Sequence, residues 1–342
     1  MKKKKKQEKS PSTGISGVSM PEDTSSAAQE NPAAGNDPSP GSYHVPVLPE
    51  ETIAALAIKP DGVYVDCTFG GGGHSRLILA ALGPKGRLVA FDQDEDARRN
   101  LPDDERVLFI PQNFRHLQRF LRLQNIVAVD GIMADLGVSS HQFDEGERGF
   151  STRFNAALDM RMDQRQPLTA FEVVNTYTEQ RLHKLFEQYG EVTNSKTLAK
   201  TIVNVRNHVS LQTIDGFKQA IREIVKGNPH KYFAQVFQAL RIEVNDELGV
   251  LKEMLQQLPK LLKPGGRAAI ITFHSLEDRL VKDFFRRGTF DEPIGNAFTH
   301  DVTTNELIIL TKKPVTATEE EVKKNPRSRS AKLRVAEKIM MV

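Results

Sequence analysis

The stretch Asp66-Cys-Thr-Phe-Gly-Gly-Gly-Gly-His74 decides how the fold is interpreted. It continues a short β-rich run at 63–69 and leads into a helical pattern at 74–82, which Gly83-Pro84 ends. Glycines between a strand and a helix let the backbone approach a ligand closely, and the first helical turn offers unpaired N–H groups. The stretch therefore predicts a binding loop, with a glycine turn that binds nothing as the alternative.

Strand and helix signals alternate on either side of this loop. A second strand, Arg87–Phe91, ends in Asp92, a third spans Val107–Ile110, and a fourth at 126–134 ends in Asp135. Alternation at this spacing is typical of right-handed βαβ units and a parallel sheet. We therefore predict an α/β fold with a Rossmann-like, doubly wound sheet.

The alternation is interrupted at 143–230, where the apolar spacing becomes helical. Thr169-Ala-Phe-Glu172 has the pattern of a capping box, and 181–189, 196–206 and 217–226 have the pattern of amphipathic helices. The α/β pattern then resumes with one long helix at 232–262, a fifth strand at 268–273, a helix capped at Ser275 and an antiparallel strand at 306–311. The predicted domains are an α/β part at 43–142 and 231–342, and an inserted helical part at 143–230.

Residues 1–42 have a different composition from the rest of the chain. They contain five consecutive lysines at 2–6 and neither Leu nor Phe. Such a segment buries too little apolar surface to offset its ordering entropy, so we predict a disordered leader. The Lys323–Lys338 run holds seven cations and one acid; it is either a phosphate-binding surface or a solvated tail.

Overall composition excludes several classes of protein. The 342 residues are 39% hydrophobic and 27% charged, with a net charge of +3, and no apolar run approaches the roughly 18–20 residues of a membrane span. The single cysteine, Cys67, excludes an internal disulfide framework and a multi-cysteine zinc site. We expect a reducing, cytoplasmic location and no membrane partner.

The glycine loop favours one cofactor class over others. A dinucleotide fingerprint needs Gly or Ala where this chain has Ser75, and no P-loop sequence is present. S-adenosylmethionine has no pyrophosphate and tolerates a looser loop, while Asp92 is placed to accept hydrogen bonds from ribose hydroxyls. Asp66, Asp92 and Asp135 should converge on one crevice at the carboxyl ends of the strands. Because His74 and His141 lack neighbours at ligand spacing, we predict no metal site.

Seven motifs in order resemble one known family. They are His44-Val-Pro-Val-Leu, Asp66-Cys-Thr-Phe-Gly-Gly-Gly-Gly-His-Ser75, Asp135-Leu-Gly-Val-Ser-Ser140, Arg148-Gly-Phe-Ser151, Leu158-Asp-Met-Arg-Met-Asp163, Thr272-Phe-His-Ser-Leu-Glu-Asp-Arg279 and Asn325-Pro-Arg-Ser-Arg-Ser330. Together they resemble the ribosomal RNA small subunit methyltransferase H family, bacterial enzymes that methylate N4 of a decoding-centre cytosine in 16S rRNA.

The resemblance implies a fold, a cofactor and a partner. The fold is a class I methyltransferase sheet carrying the helical insertion as a substrate-recognition domain. The cofactor is S-adenosyl-L-methionine, and the partner is 16S rRNA within the small ribosomal subunit; a homodimer is compatible with it. The cofactor-binding residues that it implies are Gly72, Gly73, His74, Asp92, Phe114, Asp135 and Gln142.

The implied reaction asks for a hydrogen-bond acceptor. Cytosine N4 is a poor nucleophile because its lone pair is delocalised, so an acceptor must help the amine rehybridise and lose a proton. Asp135 is the predicted catalytic acceptor, with a loop-capping carboxylate as the alternative. His274, just past the fifth strand, has either a structural or a substrate-facing role, and the sequence leaves both open. The candidates for rRNA phosphate contacts are Arg161, Lys323, Lys324, Arg327 and Arg329.

Two other functions fit parts of the pattern. A dinucleotide-dependent oxidoreductase would use the same glycine loop, and a non-catalytic RNA-binding assembly factor would use the same fold. The imperfect fingerprint counts against the first. The intact loop, Asp92 and Asp135 count against the second.

Overall fold

Seven strands of the described residues form a single sheet. The computed structural model describes residues 45–139, 142, 146–291 and 305–340, so the predicted leader, Ser140 and His141 lie outside the described residues. The strands are β1 (Val63–Asp66), β2 (Arg87–Phe91), β3 (Val107–Ile110), β4 (Val129–Asp135), β5 (Leu262–Thr272), β6 (Leu307–Ile309) and β7 (Lys332–Lys338). Their order is β3-β2-β1-β4-β5-β7-β6. Strands β1 to β5 are parallel, and β7 is antiparallel to both its neighbours.

Helices cover both faces of this sheet. The described α-helices are α1 (Pro49–Leu56), α2 (Gly73–Ala81), α3 (Leu117–Leu123), α4 (Ala170–Thr176), α5 (Glu179–Gln188), α6 (Ser195–Val205), α7 (Ile214–Ala220), α8 (Pro229–Asn245), α9 (Glu247–Leu261), α10 (Ser275–Arg287) and α11 (Glu319–Lys324). Apolar residues of α3, α9 and α10 pack on one face, and those of α1 and α2 on the other. This confirms the predicted doubly wound α/β sheet. Within the described ranges, no helix is long and apolar enough to cross a bilayer.

The long helix predicted at 232–262 is wrong as a single element. Asp246 has a left-handed backbone conformation, with φ 49° and ψ 39°, and divides the segment into α8 and α9. Aspartate tolerates this conformation better than most residues, so a break can occur without a glycine. The turn carries Glu247 back to the end of α8, where Arg241 holds it with hydrogen bonds of 2.8 and 3.0 Å.

Strand β7 was not predicted, because its sequence looks like a basic tail. Leu333, Val335 and Ala336 are buried between β5 and β6. Arg334 is also buried, and its Nε lies 2.6 Å from a carboxylate oxygen of Asp278. A cation with an internal acid partner can occupy a central strand, so charge alone did not indicate exposure here. The antiparallel strand predicted at 306–311 is confirmed as β6.

The helical insertion has an apolar core of its own. Buried side chains from Phe150 to Val244 form a cluster separate from those of the sheet. The predicted capping box is present: the Glu172 N–H donates to Oγ1 of Thr169 at 3.2 Å, and the Thr169 N–H donates to Oε2 of Glu172 at 3.0 Å. Helix α8 contributes Tyr232 and Leu240 to this cluster. The domain boundaries at 142/143 and 230/231 stay a prediction.

Candidate functional site

A cavity of about 680 Å³ opens where the carboxyl ends of the parallel strands meet. This is where open α/β sheets bind ligands, and the volume suits a nucleoside-sized molecule. Six of the seven predicted cofactor residues line it: Gly73, His74, Asp92, Phe114, Asp135 and Gln142. Gly72 is not among the lining residues, and Asp66 is buried away from the cavity, where it accepts a hydrogen bond of 2.7 Å from Ser75. The convergence predicted for three aspartates therefore holds for two.

The glycine loop is shaped by its positive φ angles. Gly70 has φ 48° and Gly72 has φ 73°, and both values lie in the left-handed region that glycine adopts without strain. A Cβ on Gly72 would lie 2.9 Å from the Phe69 ring, so this glycine also allows close packing behind the loop. Gly70, Gly71 and Gly73 face the cavity instead. The loop thus brings backbone rather than side chains to the ligand.

Asp92, which follows β2, is held by backbone donors. Its Oδ2 accepts from the Gly70 N–H at 2.7 Å, and its Oδ1 accepts from the Asp94 N–H at 2.9 Å. Burial raises the pKa of Asp92 to about 7, although these two hydrogen bonds lower it. Each oxygen keeps a lone pair, and hydroxyl donors would favour the ionised form. Asp92 therefore has free lone pairs of the kind that ribose hydroxyls of the predicted cofactor would use, and Phe114 lines the same cavity.

The loop after β2 is tied to the insertion through Asp94. Its Oδ2 accepts from Nε2 of Gln142 at 2.7 Å and from the Arg148 guanidinium at 2.8 Å. Arg148 also donates to the carbonyl oxygens of Arg161 and Met162. Sequence reasoning missed Asp94 and gave Arg148 no role; an Asp-x-Asp pair after a strand is the one signal for the former. Gln142 thus supports the loop while lining the cavity.

Asp135, which ends β4, has a carboxylate oxygen with nothing to bind. Its N–H donates to Oγ1 of Thr68 at 2.7 Å, whereas its Oδ1 is buried without a hydrogen-bond partner in the described chain. Nδ1 of His74 lies 3.8 Å from the other oxygen, and Nε2 of His74 donates to the Val47 carbonyl at 2.8 Å. Burial raises the pKa of Asp135 to about 6; the charge of His74 opposes this rise and that of Glu277 adds to it.

A cluster of four polar side chains lies near Asp135, where β5 ends. We call these residues, Arg241, Glu247, His274 and Glu277, the His274 cluster. Arg241, Glu247 and Glu277 line the cavity. The helix α10 is capped by His274, not by Ser275 as predicted. Burial by itself would raise the pKa of Glu277, but His274, the Phe273 N–H and Arg241 hold it below its ordinary value.

The cations predicted to contact rRNA phosphates, and the neighbouring cations of β7, have different surroundings in the fold. Arg161 donates to both carboxylate oxygens of Asp159 at 2.8 Å and to two backbone carbonyls, so its prediction as a phosphate contact is not supported. Lys332, Arg334 and Lys338 pair with acids as part of β7. Lys323, Lys324 and Arg329 are exposed, and Arg327 lines the cavity mouth together with Arg153 from the insertion.

Comparison with known proteins agrees with this geometry. The MraW methylase family matches residues 41–339. A ribosomal RNA small subunit methyltransferase H from Flavobacterium johnsoniae is 54% identical over 303 residues, covering 87% of this chain and 98% of the relative. A protein of the same name from Bacteroides thetaiotaomicron is 52% identical over 298 residues, covering 87% and 98%.

These similarities confirm the predicted family resemblance and S-adenosyl-L-methionine as the cofactor. The strand order β3-β2-β1-β4-β5-β7-β6 agrees with the predicted class I methyltransferase sheet. The similarities exclude the dinucleotide-dependent oxidoreductase. The chain belongs to the MraW methylase family.

Proposed function

We propose that this protein transfers a methyl group from S-adenosylmethionine to N4 of a cytosine in the decoding centre of 16S rRNA, within the small ribosomal subunit and in the cytoplasm. The relatives' name supports an rRNA substrate. The observation that carries the choice of an amine is Asp135, a carboxylate that lines the cavity and whose Oδ1 has no hydrogen-bond partner among the described residues. An acceptor without a donor is what an exocyclic amine would complete.

The residues of the chain divide the work of the reaction. When bound, S-adenosylmethionine supplies an electrophilic methyl group on a sulfonium. Asp92 and the glycine loop hold the cofactor end of the cavity, and Asp135 accepts a hydrogen bond from N4 and takes its proton as the amine rehybridises. A pKa of about 6 leaves Asp135 ionised at neutral pH yet basic enough to assist. His74, fixed by its bond to Val47, limits how the carboxylate turns.

The substrate must reach this cavity unpaired, because a stacked base cannot present N4. We propose that the insertion at 143–230 forms the substrate-facing side, since Arg153 and Met162 line the cavity from it. Lys323, Lys324, Arg327 and Arg329 would contact phosphates near the mouth. The homodimer stays a prediction.

The experiment is nucleoside analysis. The purified protein is incubated with methyl-labelled S-adenosylmethionine and small subunits from cells that lack this modification, and the RNA is digested. We expect N4-methylcytidine at a single position; large subunits and protein-free 16S rRNA serve as controls. Label in another nucleoside would contradict the proposal, and no label with tight subunit binding would favour the assembly-factor alternative.

A further inference from the structure

The insertion presents one aromatic ring to solvent. Of the Phe and Tyr side chains that the structure describes, only Phe154 is exposed, and half of its surface is accessible (50%). A single exposed apolar residue is ordinary on a protein surface, so its surroundings decide whether it has a role. For Phe154, three features of the surroundings point to a ligand: a fixed backbone, an open pocket and a neighbouring cation.

The backbone that carries Phe154 is tied to the start of α7. The Ala156 carbonyl accepts from the Ile214 N–H at 2.9 Å, and Oδ1 of Asn155 accepts from the Asp215 N–H at 3.2 Å. Both bonds lie within two residues of the ring. The ring is therefore held at the surface by the helical insertion, and a ligand that binds it has little backbone ordering to offset.

An open pocket of about 370 Å³ lies against the ring. Besides Phe154, it is lined by Gly146, Glu147, Asn155, Ala156 and Ala157. A Cβ on Gly146 would lie 2.9 Å from Cβ and Cγ of Phe154, so the absence of a side chain there lets the two segments approach closely. The ring is the one large apolar surface in this pocket, and Glu147 and Asn155 add an acceptor and an amide donor.

The residue before Phe154 connects this pocket to the main cavity. Arg153 is exposed and lines the cavity mouth, on which Arg327 also lies. Its backbone N–H donates to Oγ of Ser151 at 3.3 Å, whereas its guanidinium has no acid partner in the part of the chain that the structure describes. Consecutive Cα atoms are about 3.8 Å apart, so the pocket at Phe154 adjoins the cavity mouth. A chain that enters the cavity here meets a cation and then an aromatic ring.

We propose that Phe154 stacks on the base of a nucleotide next to the target and that Arg153 contacts the phosphate between the two. This inference rests on the proposed function and adds how the RNA strand is held while the target base is in the cavity. A base that leaves its stack exposes the π-face of its neighbour, and an aromatic side chain can cover that face. An apolar protein surface is the competing occupant; the unpaired guanidinium of Arg153 beside the ring favours a polyanion.

Substitutions at Phe154 separate stacking from apolar contact. Phe154→Ala should weaken small-subunit binding about five- to a hundredfold. Phe154→Leu should lose nearly as much, because it keeps an apolar side chain without a π-face, whereas Phe154→Tyr should bind like the wild type. Because the ring is exposed, all three should keep the melting temperature and the affinity for S-adenosylmethionine. Val209→Ala, at a residue of the insertion that is 47% exposed, is the matched control and should change nothing.

The salt dependence separates the two residues of the proposal. Arg153→Gln should reduce the slope of log affinity against log salt by about 0.7, the value for one phosphate contact on a single strand. Phe154→Leu should leave this slope unchanged, since stacking releases no counterion. An unchanged slope in Arg153→Gln would remove the phosphate contact from the proposal.

A double-mutant cycle identifies the partner of the ring. Small subunits are reconstituted with 16S rRNA that carries an abasic nucleotide on the 5′ or the 3′ side of the mapped target, and their affinity is measured for wild type and Phe154→Ala. On one side, the missing base should weaken wild-type binding and leave Phe154→Ala binding unchanged. Additive losses on both sides, or equal losses in Phe154→Ala and Val209→Ala, would overturn the inference; additive losses would assign the ring to a protein surface. Methylation of a nucleoside other than cytidine would instead overturn the proposed function, and the cycle would then be run beside that nucleotide.

Discussion

Asp92 follows β2 and Asp135 ends β4, two strands of one sheet that flank β1; both residues line one cavity, but their surroundings differ. Each oxygen of Asp92 already accepts a backbone N–H. Asp135 has an oxygen, Oδ1, with no hydrogen-bond partner in the described chain. The Asp92 end of the cavity is therefore ordered by backbone hydrogen bonds, whereas the Asp135 end keeps a carboxylate oxygen with no donor among the described residues.

Burying these two carboxyl groups also makes the stability of the fold depend on pH. Burial raises the pKa of both carboxyl groups, to about 7 for Asp92 and about 6 for Asp135. A raised pKa means that the folded state binds the proton more tightly than the unfolded state does. The stabilisation from these groups is thus fully present below about pH 4 and is lost as the pH rises through 6 and 7. Ligands that donate hydrogen bonds would recover part of it.

The largest effect on the methylation rate is expected from a change at Asp135. Asp135→Asn keeps the shape of the side chain and removes its charge, so the single-turnover rate on saturating small subunits should fall by about 10²–10⁴-fold. Affinity for S-adenosylmethionine should fall far less, because the amide oxygen still accepts one hydrogen bond. If excess cofactor restores the rate, Asp135 is a cofactor ligand only, and the proton must leave through Ser139 or water.

The pH profile sharpens the same test. With an acceptor pKa of about 6, the wild-type rate should fall about tenfold for each pH unit below 6 and level off above 7. This acidic limb should disappear in Asp135→Asn. A limb that persists unchanged would assign the titration to another group.

A smaller effect, on cofactor affinity, is expected from a change at Asp92. Asp92→Ala removes a charge-assisted acceptor for ribose hydroxyls and should weaken S-adenosylmethionine binding about ten- to hundredfold, measured by calorimetry. Because the pKa of Asp92 is about 7, wild-type affinity should rise about tenfold from pH 6 to pH 8, and Asp92→Ala should flatten this rise. Unchanged affinity would remove Asp92 from the cofactor site.

Residues with local sequence signatures could be predicted at both ends of the cavity. Gly73 and Asp92 line it as predicted, and so does Asp135, because glycines after a strand and acids at strand ends can be recognised in the sequence. Asp94 and Arg148 meet only in the fold, 54 residues apart, and no local pattern announces a pair of that kind. Strand β7 could not be predicted for the same reason: Arg334 is neutralised by Asp278, which lies 56 residues away in the sequence. Contacts of this range depend on tertiary structure rather than on periodicity.

Removing the exposed C-terminal cations should weaken RNA binding without changing cofactor binding. Replacing Lys323, Lys324, Arg327 and Arg329 by Gln should weaken subunit binding broadly and flatten its salt dependence, since each phosphate contact contributes about 0.7–0.9 to the slope. Calorimetry should show S-adenosylmethionine affinity unchanged. Glutamine at Lys332 and Lys338 is the matched control, because these two lysines already have acid partners; Arg334 is left unchanged because it is buried against Asp278. An unaltered slope in the first variant would show that its cations are merely solvated.

The smallest effect is expected from deleting residues 1–42, which lie outside the described structure. They contain neither Leu nor Phe and so have little apolar surface to contribute to a core. The truncated protein should keep its melting temperature and its affinity for S-adenosylmethionine, so both ends of the cavity stay intact. Five lysines could still add nonspecific RNA affinity, and that contribution should fade as salt rises. A clear drop in melting temperature would contradict the predicted disorder, and a loss of affinity confined to the cofactor would tie this segment to the Asp92 end.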